Sequence, residues 1–217
     1  MGRALVWPFF TSELLVFHGR AKAATDVAPG GRGWSSGAAG AALFASLTAV
    51  GAWLRVPLPW VPVTLQTLFV LLAGLTLTPG WAFASQVVYL AVGLAGFPVF
   101  AGTSGLAAAV SPTFGYLLSF PAAAWLVARL SSGGRSFRRD LLAGLAGSAG
   151  ILLIGAVYLA AATRWLVGQP LGFVRAFTVG AVIFLPGEIL KAAVAAAVAR
   201  RLRRAFAAAR QVDGYRD

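Results

Sequence analysis

The sequence predicts an all-α integral membrane protein, a bundle of six transmembrane helices. Hydrophobic residues make up 59% of its 217 positions and charged residues only 11%, whereas a soluble domain carries about 25% charge. In water such a chain would expose a large apolar surface. The 73 residues between Arg55 and Arg129 carry no charge, which is room for about three spans of roughly 20 residues with their loops. Runs such as LLAGLAGSAGILLIGAVYLAAA show none of the period-two alternation of a membrane β-barrel. Helices are then the way for the backbone to satisfy its hydrogen bonds in lipid.

Apolar runs and helix breakers place the six spans in order. The first covers about Ser36 to Leu54 and the second about Val63 to Thr78. Pro79-Gly80 makes a tight turn into the third, about Trp81 to Leu94. The fourth covers about Pro112 to Leu130, with Pro121 as its kink. The fifth runs from about Asp140 to Trp165 and the sixth from about Gly172 to Arg203. Residues 1–35 read as an N-terminal arm, either an interfacial helix or a misassigned start. Residues 36–204 form the membrane domain, and 205–217 a basic cytoplasmic tail.

Charge orients the bundle. With the N-terminus in the cytoplasm, fourteen cations fall on that side: four in the arm, four from Arg129 to Arg139 and six from Arg200 to Arg216. Only Arg55, Arg164 and Arg175 fall outside. This positive-inside bias places both termini in the cytoplasm and calls for an even number of spans. The net charge of +12 then suits anionic lipid headgroups rather than nucleic acid.

Absences exclude whole classes of chemistry. Without cysteine there is no disulfide, thiol nucleophile or cysteine-based zinc site. The one histidine, His18, lies in the polar arm. The only lysines, Lys22 and Lys191, do not follow the glycines of a phosphate-binding loop. No catalytic set, metal cluster or cofactor motif is present, so no enzyme is predicted.

The residues that can carry chemistry are few. In Phe184-Leu-Pro-Gly-Glu-Ile-Leu-Lys191, Glu188 and Lys191 are ionisable groups inside a predicted span, where each costs about 2.5–3.5 kcal/mol on insertion scales. Three residues apart, they share a helical face about 4.5 Å apart along the axis. They either pair with each other to lock helices or meet the two ends of a polar ligand. Gln86 and Tyr89 share a face of the third span and either contact a ligand or hydrogen-bond between helices. Two Pro/Gly-rich apolar loops, 56–67 and 96–105, fall on the external side as lids over a pocket or as ordinary interfacial loops. Small residues on the first span, Ala38, Ala42 and Ser46 or Ala41, Ala45 and Ala49, permit close contact with a partner subunit or within the bundle.

The segments VPVTLQTLFVLLAGLTLTPGWAFASQVVYLAVGLAGFPVFAG, SPTFGYLLSFPAAAWL and FLPGEILKAA resemble the BioY family, the biotin-specific S components of energy-coupling-factor (ECF) transporters. PVTLQT and GLAGFPVFAG are specific, and the ordered set covers about Ala38 to Leu202. The resemblance implies the six-helix S-component fold in a bacterial cytoplasmic membrane, with a biotin pocket near the external face and no cofactor. It implies as partners a transmembrane coupling subunit, contacted by the Ala41, Ala45 and Ala49 stripe, and ATPase subunits. Glu188 and Lys191 stand where the family has an acidic residue and a lysine. The acid there is often aspartate, so Glu188 reaches one methylene further. On this reading Glu188 or Gln86 meets the ureido ring and Lys191 an anionic end, or the reverse, while Tyr89, Phe100 and Tyr116 enclose the apolar body. An S component for another vitamin, or a structural membrane protein that uses the ion pair only for packing, remains the alternative.

Overall fold

A computed structural model of the protein describes residues 32–132, 136–166, 168 and 171–213. The chain folds as α1 (Arg32–Trp53), a short antiparallel pair β1 (Arg55–Val56) and β2 (Val63–Thr64), α2 (Gln66–Thr76), α3 (Pro79–Leu94), a 3-10 turn (Leu106–Val110), α4 (Phe114–Ser131), α5 (Phe137–Trp165), α6 (Phe173–Gly180), a second 3-10 turn (Val182–Phe184) and α7 (Leu185–Asp213). The N-terminal arm lies almost wholly outside the described residues. α7 runs on into the segment read as a tail.

By length and composition, four helical stretches among the described residues can cross a membrane: Ser36–Trp53, Phe114–Ser131, Phe137–Trp165 and Phe173–Ala205. The second and third predicted spans form shorter helices of 11 and 16 residues. At 1.5 Å per residue, α2 is about 16 Å long, half of a ~30 Å hydrocarbon core. Its predicted first turn is missing because Val63 and Thr64 pair with Val56 and Arg55 instead. At the other end the sequence misleads in the opposite direction. Pro79-Gly80 is the first turn of α3 rather than a loop; proline suits that position because its missing N–H would have no helical partner there.

The predicted sixth helix is broken. Pro186 has no N–H for the Val182 carbonyl, and the backbone leaves helical geometry at Ala181 (φ −131°, ψ −57°). Phe184 N–H bonds the Ala181 carbonyl in a 3-10 turn, so the Gly180 carbonyl loses its helical donor. The Tyr116 hydroxyl replaces it at 2.7 Å. Because α7 restarts at Leu185, Glu188 falls in its first turn, where the helix dipole favours a carboxylate.

Small residues set the helix spacing. Ala192, Ala195, Ala196 and Ala199 make a fully buried stripe on α7, and Gly144 of α5 lies against Ala192. This half of the bundle forms one core with Leu71, Leu75 and Val127. The other core is aromatic, built on Tyr89, Phe100, Tyr116, Phe120 and Phe184. The outward faces are apolar too: Leu43, Val50, Phe83, Leu118, Leu142, Leu153, Ile189 and Leu190 are all exposed. A helix that is apolar all round belongs in lipid.

The stripe of Ala41, Ala45 and Ala49 is not the free face of α1, which corrects the expectation of a partner contact there. Ala41 and Ala45 are buried, and Ala49 packs on the aromatic core. Ala42 and Ser46, on the neighbouring stripe, are exposed.

Candidate substrate-binding site

The aromatic half of the bundle encloses a cavity of about 330 Å³, within the ~300–1,000 Å³ typical of small-molecule sites. Both Pro/Gly-rich loops line it, through Pro57, Trp60 and Pro62 of the first and Phe100, Gly102 and Thr103 of the second. Helices α2, α4, α5 and α7 supply most of the rest, through residues such as Thr67, Tyr116, Ile151 and Lys191, with Arg55 of β1 and the two 3-10 turns also contributing.

Its polar pole is a small network between three helices. The Lys191 ammonium donates to Glu188 Oε1 at 2.7 Å and to the Thr67 hydroxyl at 3.0 Å. Thr67 in turn donates to Glu188 Oε1 at 2.8 Å. The Ser148 hydroxyl of α5 donates to Glu188 Oε2 at 3.0 Å. Glu188 and Lys191 are buried at 4% and 9% exposure, yet both line the cavity. The pair therefore cross-links helices and also faces a space that a molecule can enter. Lys191 has three donors and two bonds, so it keeps one N–H for an occupant. Each carboxylate oxygen likewise has accepting capacity left.

Of the six predicted substrate contacts, Glu188, Lys191, Phe100 and Tyr116 line the cavity, while Gln86 and Tyr89 lie outside its wall. The reason is that their polar atoms are engaged by protein. The Tyr89 hydroxyl accepts from Gln66 Nε2 at 2.5 Å and donates to the Val99 carbonyl at 3.1 Å. Gln86 donates to the Ser85 hydroxyl at 3.0 Å and accepts a 3.4 Å contact from Thr48 of α1. Both are fully buried. Tyr89 acts one layer back: it holds the lining residue Gln66, and its ring meets Phe100 edge-on at 5.3 Å.

Phe100 reaches the cavity because its loop is fastened to α3. A Cβ at Gly93 would clash with the Phe100 ring, and Gly105 N–H bonds the Gly93 carbonyl at 2.8 Å. Gly105 has φ +74°, a conformation side chains disfavour. The Trp53 indole, at the end of α1, donates to the Pro98 carbonyl of the same loop at 3.0 Å. Tyr116 is seated in the same way, its ring against Gly155 of α5.

Sequence reasoning nominated neither Arg55, Gln66, Thr67 nor Ser148. Gln66 and Thr67 stand in the PVTLQT motif, whose specificity was the available signal. Ser148 is the lone serine in a long apolar run, which was also readable. Asp140, read only as a helix start, is a second fully buried carboxylate, ion-paired with Arg203 away from the cavity. Among the described residues no cluster of three His, Cys, Asp or Glu side chains could hold a metal.

Residues 25–208 match the family described as the BioY family. The chain belongs to the BioY family. Similar to this BioY chain is the "Probable biotin transporter BioY" of Pyrococcus horikoshii, 42% identical over 163 residues, which are 75% of this chain and 93% of the relative. That of Lysinibacillus sphaericus is 37% identical over 175 residues, 79% and 88% of the two chains. The "Biotin transporter BioY" of Thermotoga maritima is 35% identical over 165 residues, 76% and 94%. Among solved structures, the "S-component for biotin from an ECF-type ABC transporter" superposes with a TM-score of 0.68 at 23% identity, over 78% of this chain and 92% of that one. This BioY chain therefore has the S-component fold and belongs to a family of transporters, not of enzymes.

Proposed function

We propose that this chain is the substrate-binding S subunit of an ECF-type importer and that its cargo is biotin, taken from the external side without a cofactor of its own. The single observation that carries this is the placement of Glu188 and Lys191: a buried ion pair that also forms one wall of a cavity of small-molecule size. A pair serving packing alone has no need of the space beside it, because desolvation offsets most of its attraction.

The chemistry fits the cargo. A ureido ring offers two N–H donors and a carbonyl. Glu188 has free lone pairs for the donors, and the remaining Lys191 N–H, with the Gln66 amide nearby in the lining, suits the carbonyl. Trp60, Phe100, Tyr116 and Phe120 in the wall match the apolar thiophane. Tyr89 and Gln86 support this wall instead of touching cargo.

The chain carries no phosphate-binding loop, so energised uptake requires a transmembrane coupling subunit and ATPase subunits. The membrane is the bacterial cytoplasmic membrane, with both termini inside as the arginine distribution directs. The exposed stripe of Ala42 and Ser46, rather than that of Ala41 and Ala45, leaves α1 open to close helix contact.

Calorimetry on detergent-solubilised protein tests the cargo. Biotin is expected to bind, and excess thiamine or riboflavin to leave that binding unchanged. Displacement of biotin by either vitamin assigns a different cargo. No binding of any of the three removes the transport reading.

A further inference from the structure

The two ends of the cavity differ in charge. At its buried end the Lys191 ammonium is neutralised by Glu188 at 2.7 Å, so the network there is polar with no net charge. Arg55 also lines the cavity, and it is exposed, which puts it at the mouth. Only two ion pairs occur among the described residues, Glu188–Lys191 and Asp140–Arg203, and Arg55 belongs to neither. No acidic residue stands between Arg55 and Asp140 in the sequence. Arg55 is also held in place. It is the first residue of β1 and pairs with Thr64 of β2, two residues before the start of α2, so its Cα is tied to the helix that carries Gln66 and Thr67.

We infer that Arg55 is a specificity-determining residue that pairs with the carboxylate of the bound molecule at the cavity mouth. The inference rests on the biotin reading above and extends it. An occupant matched to this cavity has a neutral hydrogen-bonding head, an apolar middle and an anionic tail, in that order from floor to mouth. Lys191 is a poor receiver for the tail, because its charge is already met by Glu188 and a second carboxylate would crowd the first. Arg55 has an unspent charge and a planar fork of donors suited to a carboxylate.

The test compares biotin with biotinamide, which keeps the rings and loses the charge, on the full-length wild type and on Arg55→Gln. The wild type is expected to bind biotin about ten-fold more tightly than the amide, the scale of a partly exposed charge-assisted hydrogen bond. Arg55→Gln is expected to lose that ten-fold for biotin and to keep the wild-type affinity for biotinamide, which also shows that the variant is folded. Raising the salt concentration should weaken biotin binding in the wild type and leave the variant unaffected. Equal wild-type affinities, or an equal loss for both ligands in the variant, overturns the inference and leaves Arg55 an interfacial arginine facing lipid phosphate, with biotin binding itself intact. Failure of the wild type to bind either molecule fells the biotin reading and this inference together.

Discussion

The bundle buries two carboxylates, and they live in different surroundings. Glu188 takes three hydrogen bonds from Lys191, Thr67 and Ser148 and faces a cavity. Asp140, in the first turn of α5, meets Arg203 through Oδ2, while its buried Oδ1 has no partner among the described residues. Arg203 spends a second donor on the Leu75 carbonyl at the end of α2, 2.9 Å away. The fifteen residues from Glu188 to Arg203 put the two sites about 22 Å apart along α7, one beside the loops predicted to be external and one beside the arginines predicted to be cytoplasmic. The Asp140 pair therefore ties the ends of α2, α5 and α7 and takes no part in lining the cavity. The Glu188 pair ties much the same helices and does line it. A charge inside an apolar bundle is thus not a sign of a ligand site by itself; the empty volume alongside makes the difference.

That contrast can be broken. The largest expected effect is on Lys191→Ala, which strips Glu188 of its counter-charge and the cavity of its ammonium. Biotin affinity should fall by about 100-fold, near 2.7 kcal/mol, since the bound molecule loses a charged donor and Glu188 loses the partner that holds it in place. Unchanged affinity in calorimetry would return the pair to a packing role. Next comes Arg203→Ala at the other pair. It should lower the free energy of unfolding in detergent by roughly 3 kcal/mol, as for a broken buried pair, and leave biotin affinity within about two-fold, because additivity holds for distant sites. A large loss of binding would join the two ends functionally. The smallest effect sharpens the reading. Thr67→Val keeps the shape and removes one hydroxyl from between Lys191 and Glu188, so binding should weaken by about ten-fold, near 1.4 kcal/mol. A loss as large as that of Lys191→Ala would make Thr67 itself a direct contact.

Much of this was legible beforehand. The order of the helices and the lipid-facing apolar surface follow from composition and from the long charge-free stretch, because the bilayer tolerates few alternatives. Glu188 and Lys191 could be named because ionisable residues at that depth are rare. Gln86 and Tyr89 were named on the same kind of signal, polar groups within a span, and the fold spends them on Thr48, Ser85, Gln66 and Val99. Helical spacing says which residues share a face, but not whether that face meets a cavity or another side chain. Ala41 and Ala45 fall to the same ambiguity, since a small-residue stripe reads alike against a neighbouring helix or a separate subunit.

By itself, then, the sequence determined an all-α membrane bundle, the order of its helices and the two ionisable residues, Glu188 and Lys191, that share a face within a span. Only tertiary structure decided that a proline-driven break would set Glu188 in the first turn of α7, that Thr67 and Ser148 would complete its shell from two other helices, and that Arg55 would stand at the opening. The reason is physical. Partition into lipid and backbone satisfaction act on each segment alone, whereas a cavity and its hydrogen bonds exist only between segments distant in the chain.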